Sequence, residues 1–250
     1  MNILRSLTLF FDHAGSQADA YKDRSNHLIH SVEGKMRTYE RKAQFMAEAL
    51  SQSLGDRARI LEVGCGGGTF TDALARRLPN CRIVATDGYQ PMLDAAAEKM
   101  KHPNVSFKLY DCDGELRGET FDGVCGVDVL HHLGRPATAL THWLQAVRPG
   151  GALLLLESNP VNPALFFRSL PHAHERRFYL NTPTNLRRWA TQAGWASASV
   201  DNLPFYLPSG PARWHDAINA AEDVLHRGRA VWGWLSGLFF LRAISPSSTS

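Results

Sequence analysis

The chain has 250 residues, of which 44% are hydrophobic and 20% charged, with a formal net charge of +3. This size suits one α/β domain with a sizeable core, and the composition is that of an ordinary soluble globular protein. So small a charge gives no ground for a nucleic-acid partner, and no apolar run reaches membrane-spanning length.

Residues 1–11 place Ile3, Leu4, Leu7, Phe10 and Phe11 at helical spacing. The stretch is short for a signal sequence and no clean cleavage pattern follows it, so it is read as an amphipathic cap or surface-contact helix, with residues 1–34 as an N-terminal helical cap. Residues 34–54 carry Met36, Tyr39, Ala43, Met46, Leu50 and Leu54 on one face, which predicts a helix. From there the pattern alternates. Strands are expected over 59–63, 81–86, 105–110, 121–127 and 152–157, with helices over 69–78, 91–101 and 136–147. Pro91 suits a first helical position, and Arg148-Pro149-Gly150-Gly151 stops the helix before it. The apolar run ending at Glu157 fits a central parallel strand.

Residues 158–181 interrupt the alternation with prolines, aromatic side chains and arginines, as a substrate-facing insertion would. Thr182 then caps a helix ending at Gly194, followed by a strand over 196–203, a helix over 212–235 and a last strand over 237–244. Such alternation predicts a parallel sheet with helices on both faces. The four cysteines, Cys65, Cys81, Cys112 and Cys125, form no C-x-x-C pair and lie in or beside predicted strands or the glycine loop. That is how reduced, buried thiols of a cytoplasmic enzyme are placed.

The most informative segment is Ile60-Leu61-Glu62-Val63-Gly64-Cys65-Gly66-Gly67-Gly68-Thr69. It reads as strand, tight glycine turn and helix start, the order in which an open α/β sheet presents a nucleotide site. A dinucleotide fingerprint needs Gly or Ala at its third anchor, and counting from Gly64 that anchor is Thr69. Glu62 would also repel a pyrophosphate, whereas a ligand with positive charge and no phosphate suits it.

The run E-V-G-C-G-G-G resembles the first motif of class I S-adenosylmethionine-dependent methyltransferases of the small-molecule type. Residues 81–87, 105–111, 121–133 and 147–151 are similar to that family's later strands and turns, in the same order. The resemblance implies a Rossmann-like three-layer α/β/α sandwich, with a mostly parallel seven-stranded sheet whose last strand is antiparallel. It implies S-adenosylmethionine as cofactor, held by Glu62, Gly64, Cys65, Gly66 and Gly68, with the methionine carboxylate and adenosine along the loop. Asp87, followed by Gly88, would meet the ribose hydroxyls, Asp111 would lie near the adenine, and Cys112 would offer its backbone N–H there. Asp113 competes with Asp111 for the acid's role, and Asp128 is a further cofactor-lining candidate.

His131 and His132 follow the fourth strand, near the expected methyl position, and either is a candidate general base; packing or a helix start explains them as well. His172 and His174 lack a third ligand and are read as solvated loop, so no metal is expected. The doublets Arg176-Arg177 and Arg187-Arg188 are read as solvated faces. No N-P-P-Y or D-P-P-Y tetrad stands after the fourth strand, which disfavours adenine or glutamine N-methylation.

The expected activity is methyl transfer to an O, N or C nucleophile of a small-molecule acceptor, by a cytoplasmic monomer or homodimer without nucleic acid or stable membrane insertion. A single domain is expected, with residues 35–157 as the cofactor half and 158–250 as the substrate half. Two rivals remain: a nicotinamide oxidoreductase, opposed by Thr69 and the lack of a Y-x-x-x-K pair, and a module that binds the cofactor without turnover.

Overall fold

The computed structural model describes residues 33–112, 114–116, 118–162, 165–166, 177–203 and 236–247, with three isolated positions at 217, 220 and 224. The amphipathic segment at 1–11, Asp113, His172, His174, Arg176 and most of the helix expected over 212–235 lie outside the described residues.

A helix α1 (Glu33–Leu54) leads into strand β1 (Arg59–Val63), helix α2 (Thr69–Arg77), strand β2 (Arg82–Asp87), helix α3 (Gln90–Lys99) and strand β3 (Val105–Leu109). Strand β4 (Phe121–Val127), a 3-10 turn at Leu130–His132, helix α4 (Pro136–Gln145) and strand β5 (Val147–Ser158) follow. A second 3-10 turn at Phe178–Leu180 precedes helix α5 (Pro183–Gln192), strand β6 (Ala196–Leu203) and strand β7 (Leu238–Ile244). The strands form one seven-stranded sheet in the order β3-β2-β1-β4-β5-β7-β6. Neighbours from β3 to β5 are parallel, and β7 runs antiparallel to both β5 and β6. This is the mixed, mostly parallel sheet expected.

The alternation of strand side chains divides the core in two. Leu153 and Leu155 of β5 join a cluster with Leu140, Trp143, Leu186 and Trp195 on the α4–α5 face. Leu154 and Leu156 face the other way, toward Met46, Leu50, Phe70 and Leu74 of α1 and α2. A two-residue period buried on both faces is why β5 reads as an unbroken apolar run. Trp195 donates from Nε1 to the Leu140 carbonyl at 2.9 Å, tying the end of α5 to α4.

One boundary differs from expectation by more than two residues. The Arg148-Pro149-Gly150-Gly151 stop lies inside β5, because α4 ends earlier and the chain re-enters the sheet at Val147 opposite Phe121. The register then shifts before Ala152 pairs with Gly123. That irregularity accommodates Pro149, which has no N–H for a ladder. Gly151 is forced by space: a Cβ there would overlap the Asp122 carbonyl and the Val147 side chain. Gly151→Ala is therefore expected to destabilise the protein by roughly 3 kcal/mol, read from urea unfolding. A variant as stable as wild type would show that the bulge relaxes without cost.

Candidate active site

The C-terminal ends of β1, β2, β4 and β5 converge on one edge of the sheet, where open α/β folds place ligands. The glycine loop leaves β1 held by two cross-strand bonds. Cys65 N–H donates to the Thr86 carbonyl at 2.8 Å, and Thr86 Oγ1 donates to the Glu62 carbonyl at 2.8 Å. Gly64, Gly66 and Gly68 all have positive φ, at 69°, 51° and 77°. Beyond that shared conformation they do different things.

A Cβ on Gly64 would stand 3.0 Å from Val129 Cγ2, and one on Gly68 would stand 2.9 Å from Ala96 Cβ and Met100 Cε. These two glycines let the loop pack against the protein. A Cβ on Gly66 or Gly67 would meet nothing within 4 Å, so these two leave open space over the backbone. Gly67 was not singled out by the sequence. The close packing that a dinucleotide fingerprint assigns to its third glycine falls to Gly68, one residue before Thr69. Gly68 is also the N-cap of α2 and supplies no side-chain bond to the helix's first N–H groups.

Glu62 sits behind this loop, 1% exposed. Its Oε1 accepts from Thr71 Oγ1 at 2.9 Å, while Oε2 is buried with no hydrogen-bond partner. Burial, aided by the Asp87 charge and opposed by the Thr71 bond, pushes the carboxyl up to about 8. A buried acceptor without a donor is costly unless a ligand supplies one. Asp87, at the end of β2, accepts from Gly66 N–H at 2.9 Å and from Tyr89 N–H at 3.0 Å. Burial raises its carboxyl, and the Gly66, Tyr89 and Gly88 N–H groups offset only part of that. Two oxygens with two lone pairs each still leave Asp87 able to accept further donors.

Beyond β3, Asp111 is exposed and Cys112 buried. A Cβ on Gly88 would lie 3.8 Å from the Tyr110 carbonyl, which keeps these two loops side by side. Burial raises the Cys65 thiol far above its usual range, with Glu62 and Asp87 adding to the effect, so Cys65 stays a neutral thiol.

A second polar group surrounds the end of β4. Asp128 has φ 55°, unusual for a residue with a side chain. Its Oδ1 accepts from Ser158 N–H at 2.8 Å and its Oδ2 meets Lys42 Nζ at 2.9 Å. Burial works to raise this carboxyl, yet Lys42, His131 and the Ser158 bond outweigh it and hold Asp128 well below the usual carboxylate range. His131 is buried, His132 exposed, and their rings lie 4.0 Å apart. His131 also meets Phe178 edge-on at 5.9 Å, and Phe178 leads on to Tyr179 at 5.7 Å, so the described part of the insertion lies over the histidine turn. Arg177 donates to the carbonyls of Leu133 and Gly134, which takes it off the solvated face expected for it. Arg187 and Arg188 are exposed.

Donor atoms of Asp128, His131 and Glu157 lie within 4.8 Å of one another. A cation there would have to displace the Lys42 ammonium from Asp128 and the N–H donors of Val129, Leu130 and Asn181 from Glu157. The group is better described as a hydrogen-bonded knot than as a metal site.

Sequence reading missed Lys42, Thr71, Glu157 and Asn181 as members of this region. Lys42 carried a signal, since it falls three residues after Tyr39 and four before Met46, on the buried stripe of α1, and is only 4% exposed. The Lys42–Asp128 pair should stabilise the fold by about 1–3 kcal/mol at neutral pH, between the exposed and fully buried limits, because the Asp128 side chain is 30% exposed. A lowered folded value makes this contribution present above the unfolded carboxylate value of about 3.9 and lost as pH falls through the folded one. Lys42→Met is thus expected to lower stability at pH near 7 and to approach wild type below about pH 3. An equal deficit at both pH values would assign the loss to packing of the lysine stem.

A methyltransferase-domain family model matches residues 61–153. An uncharacterised methyltransferase of Schizosaccharomyces pombe is 27% identical over 161 residues, covering 57% of this chain and 58% of its own. The chain therefore spans little more than half the length of that relative. A ubiquinone biosynthesis O-methyltransferase of Dinoroseobacter shibae is 28% identical over 197 residues, covering 74% of this chain and 78% of its own. Among solved structures, the plantazolicin methyltransferase BpumL, in complex with S-adenosylhomocysteine, superposes with a TM-score of 0.60 at 13% identity. That superposition covers 95% of this chain and 92% of BpumL, and it shows a shared fold. With the acid-and-glycine loop at the switch point of a β3-β2-β1-β4-β5-β7-β6 sheet, the chain carries a methyltransferase domain over residues 61–153 and is similar in sequence and fold to class I S-adenosylmethionine-dependent methyltransferases.

Proposed function

We propose that this protein binds S-adenosylmethionine at the glycine loop and transfers its methyl group to an O, N or C nucleophile of a small-molecule acceptor. The observation that carries the reading is Glu62, a buried carboxylate with one oxygen lacking a donor, behind a loop that is open over Gly66 and Gly67. The methionine ammonium supplies the missing donor and a positive charge that favours the ionised carboxylate. Asp87 accepts the ribose hydroxyls, Asp111 and the Cys112 N–H flank the adenine, and Gly64, Cys65, Gly66 and Gly68 shape the loop under the methionine and adenosine. Asp128 takes part by holding Lys42 and the end of β5 in place. Residues 35–157 serve as the cofactor half, and residues 158–250 supply the acceptor side.

When bound, the cofactor supplies a methyl carbon on a sulfonium leaving group, so the acceptor's lone pair forms the new bond while sulfur keeps the electrons of the old one. The chain's residues then align, exclude water and accept a proton where the acceptor has one to lose. The named ubiquinone O-methyltransferase relative favours an oxygen on an apolar, ring-bearing acceptor. The aromatic residues Phe166, Phe178 and Tyr179 suit such a molecule.

Thermal-shift and calorimetric titrations with S-adenosylmethionine against NAD separate methyl transfer from hydride transfer, and only the former ligand is expected to bind. Because the free protein holds a proton on Glu62 below about pH 8, binding the ammonium should release it. Affinity should then fall on the acid side by up to about tenfold per pH unit, with proton uptake by the buffer, and Glu62→Gln should remove that acid limb. Affinity that does not change between about pH 6 and 8 would exclude Glu62 as the ammonium's partner.

Gly67→Val is the cleanest steric probe, since Gly67 has no positive φ and a Cβ there would meet no described atom within 4 Å. It should weaken cofactor binding at least about tenfold with an unchanged melting temperature. Asp87→Ala should cost roughly 1.5–3 kcal/mol of cofactor binding, the worth of a charged acceptor. Wild-type affinity in Gly67→Val would place the ligand elsewhere. A panel of phenols, amines and acidic carbon compounds, assayed for S-adenosylhomocysteine release, then distinguishes turnover from simple binding.

A further inference from the structure

Glu157 ends β5 fully buried, and every oxygen of it is engaged. Oε1 accepts from the backbone N–H groups of Val129 at 3.0 Å and Leu130 at 2.9 Å, at the start of the histidine turn. Oε2 accepts from Asn181 Nδ2 at 2.7 Å and lies 3.4 Å from His131 Nδ1. Three N–H donors converge on this one buried carboxyl group. An oxygen that already accepts an N–H bond and faces Nδ1 repels a lone pair there and attracts an N–H, which selects the Nδ1–H tautomer of the neutral imidazole. Asn181 Nδ2 is also 3.4 Å from Nδ1, but its short bond goes to the carboxylate, so it does not reverse the choice.

Among the described residues, the charged groups nearest this ring pull in both directions. Asp128 and Glu157 both place oxygens within 4.8 Å of a His131 nitrogen, and both stabilise an imidazolium. Lys42 neutralises part of the Asp128 field at 2.9 Å, and protonated His132, with its ring 4.0 Å away, would oppose a second positive charge. The turn that carries His131 starts against the cofactor loop, since Val129 is the residue that a Cβ on Gly64 would touch.

We propose that Glu157 is a positioning residue that locks His131 as its Nδ1–H tautomer, so that Nε2 is the base that takes the acceptor's proton during methyl transfer. This rests on the methyltransferase reading for the source of the proton, but not for the tautomer. In the step, the acceptor's bond to hydrogen breaks and its electrons become the bond to the methyl carbon. The proton bonds to His131 Nε2, sulfur retains the electrons of the bond it loses, and the imidazolium later gives its proton to water. Asn181 holds the carboxylate from the residue after the Phe178–Leu180 turn, which ties that turn to the base.

The test uses the full chain labelled with 15N-histidine and long-range 1H–15N spectra, with His131→Gln identifying the signals. Wild type is expected to show His131 as the Nδ1–H tautomer. Glu157→Gln is expected to lower the His131 titration midpoint by roughly one pH unit or more. An Nε2–H tautomer in wild type, or an unchanged midpoint in a folded Glu157→Gln protein, overturns the proposal. Should Glu157→Gln fail to fold, the wild-type tautomer still decides it. Failure of S-adenosylmethionine to bind would instead overturn the methyltransferase reading and leave the tautomer result standing.

Discussion

A parallel strand buried on both faces can carry charge only near its ends, and here three such strands bring carboxylates to the same end. Glu62 lies at the close of β1, Asp128 just past β4, and Glu157 at the close of β5. The apolar layers on either face leave no water to solvate them, so each must find its partners within the protein or in a ligand. Much of the architecture at this edge follows from how each is satisfied. Asp128 draws Lys42 out of the buried stripe of α1. Glu157 holds two backbone N–H groups of the histidine turn and the Asn181 amide. Glu62 has only Thr71 and retains one oxygen without a donor.

These partners also fix how the connecting segments lie. By holding Asp128 on both oxygens, Lys42 and Ser158 N–H stabilise a left-handed backbone that a side-chain-bearing residue adopts at a cost. That turn sends the chain sharply from β4 into Leu130–His132, where Glu157 receives it. The histidine turn is thus placed by two carboxylates acting on adjacent residues, not by apolar packing alone. Such dense hydrogen bonding to charged groups makes the position of His131 far more definite than a loop between a strand and a helix would otherwise allow.

The parts legible in the sequence were those governed by local rules. β4 and β6 carry the limits that their side-chain patterns predict, and Thr182 accepts the Asn185 N–H at 3.3 Å as the N-cap it was read to be. The glycine loop announced itself because positive φ and close packing leave few residue types possible. What stayed hidden depends on contacts far apart in the chain. Lys42 and Asp128 are 86 residues apart, and nothing local pairs them. Pro149 marked an end of structure by its local preference, yet the shifted register against β4 admitted it to a strand. Asn181 looked like the residue before a helix cap, and only folding brings it to Glu157. The division of labour among the glycines was equally invisible, because the atoms that Gly64 and Gly68 make room for come from the β4 exit and from the end of α3.

The three carboxylates also differ in the charge they present, and the difference separates structure from ligand capture. Asp128 is held ionised by a fixed cation, so it contributes an unchanging field. Glu157 faces a histidine whose charge changes, so it can stabilise one protonation state over another. Glu62 is neutral over much of the physiological range because burial raises it to about 8 and no cation among the described residues compensates. An unpaired buried carboxylate would burden the empty protein, and protonation relieves that cost until a cationic ligand arrives. Deprotonation of Glu62 is then coupled to the arrival of positive charge, so the loop discriminates for a cation at that position and against an anion.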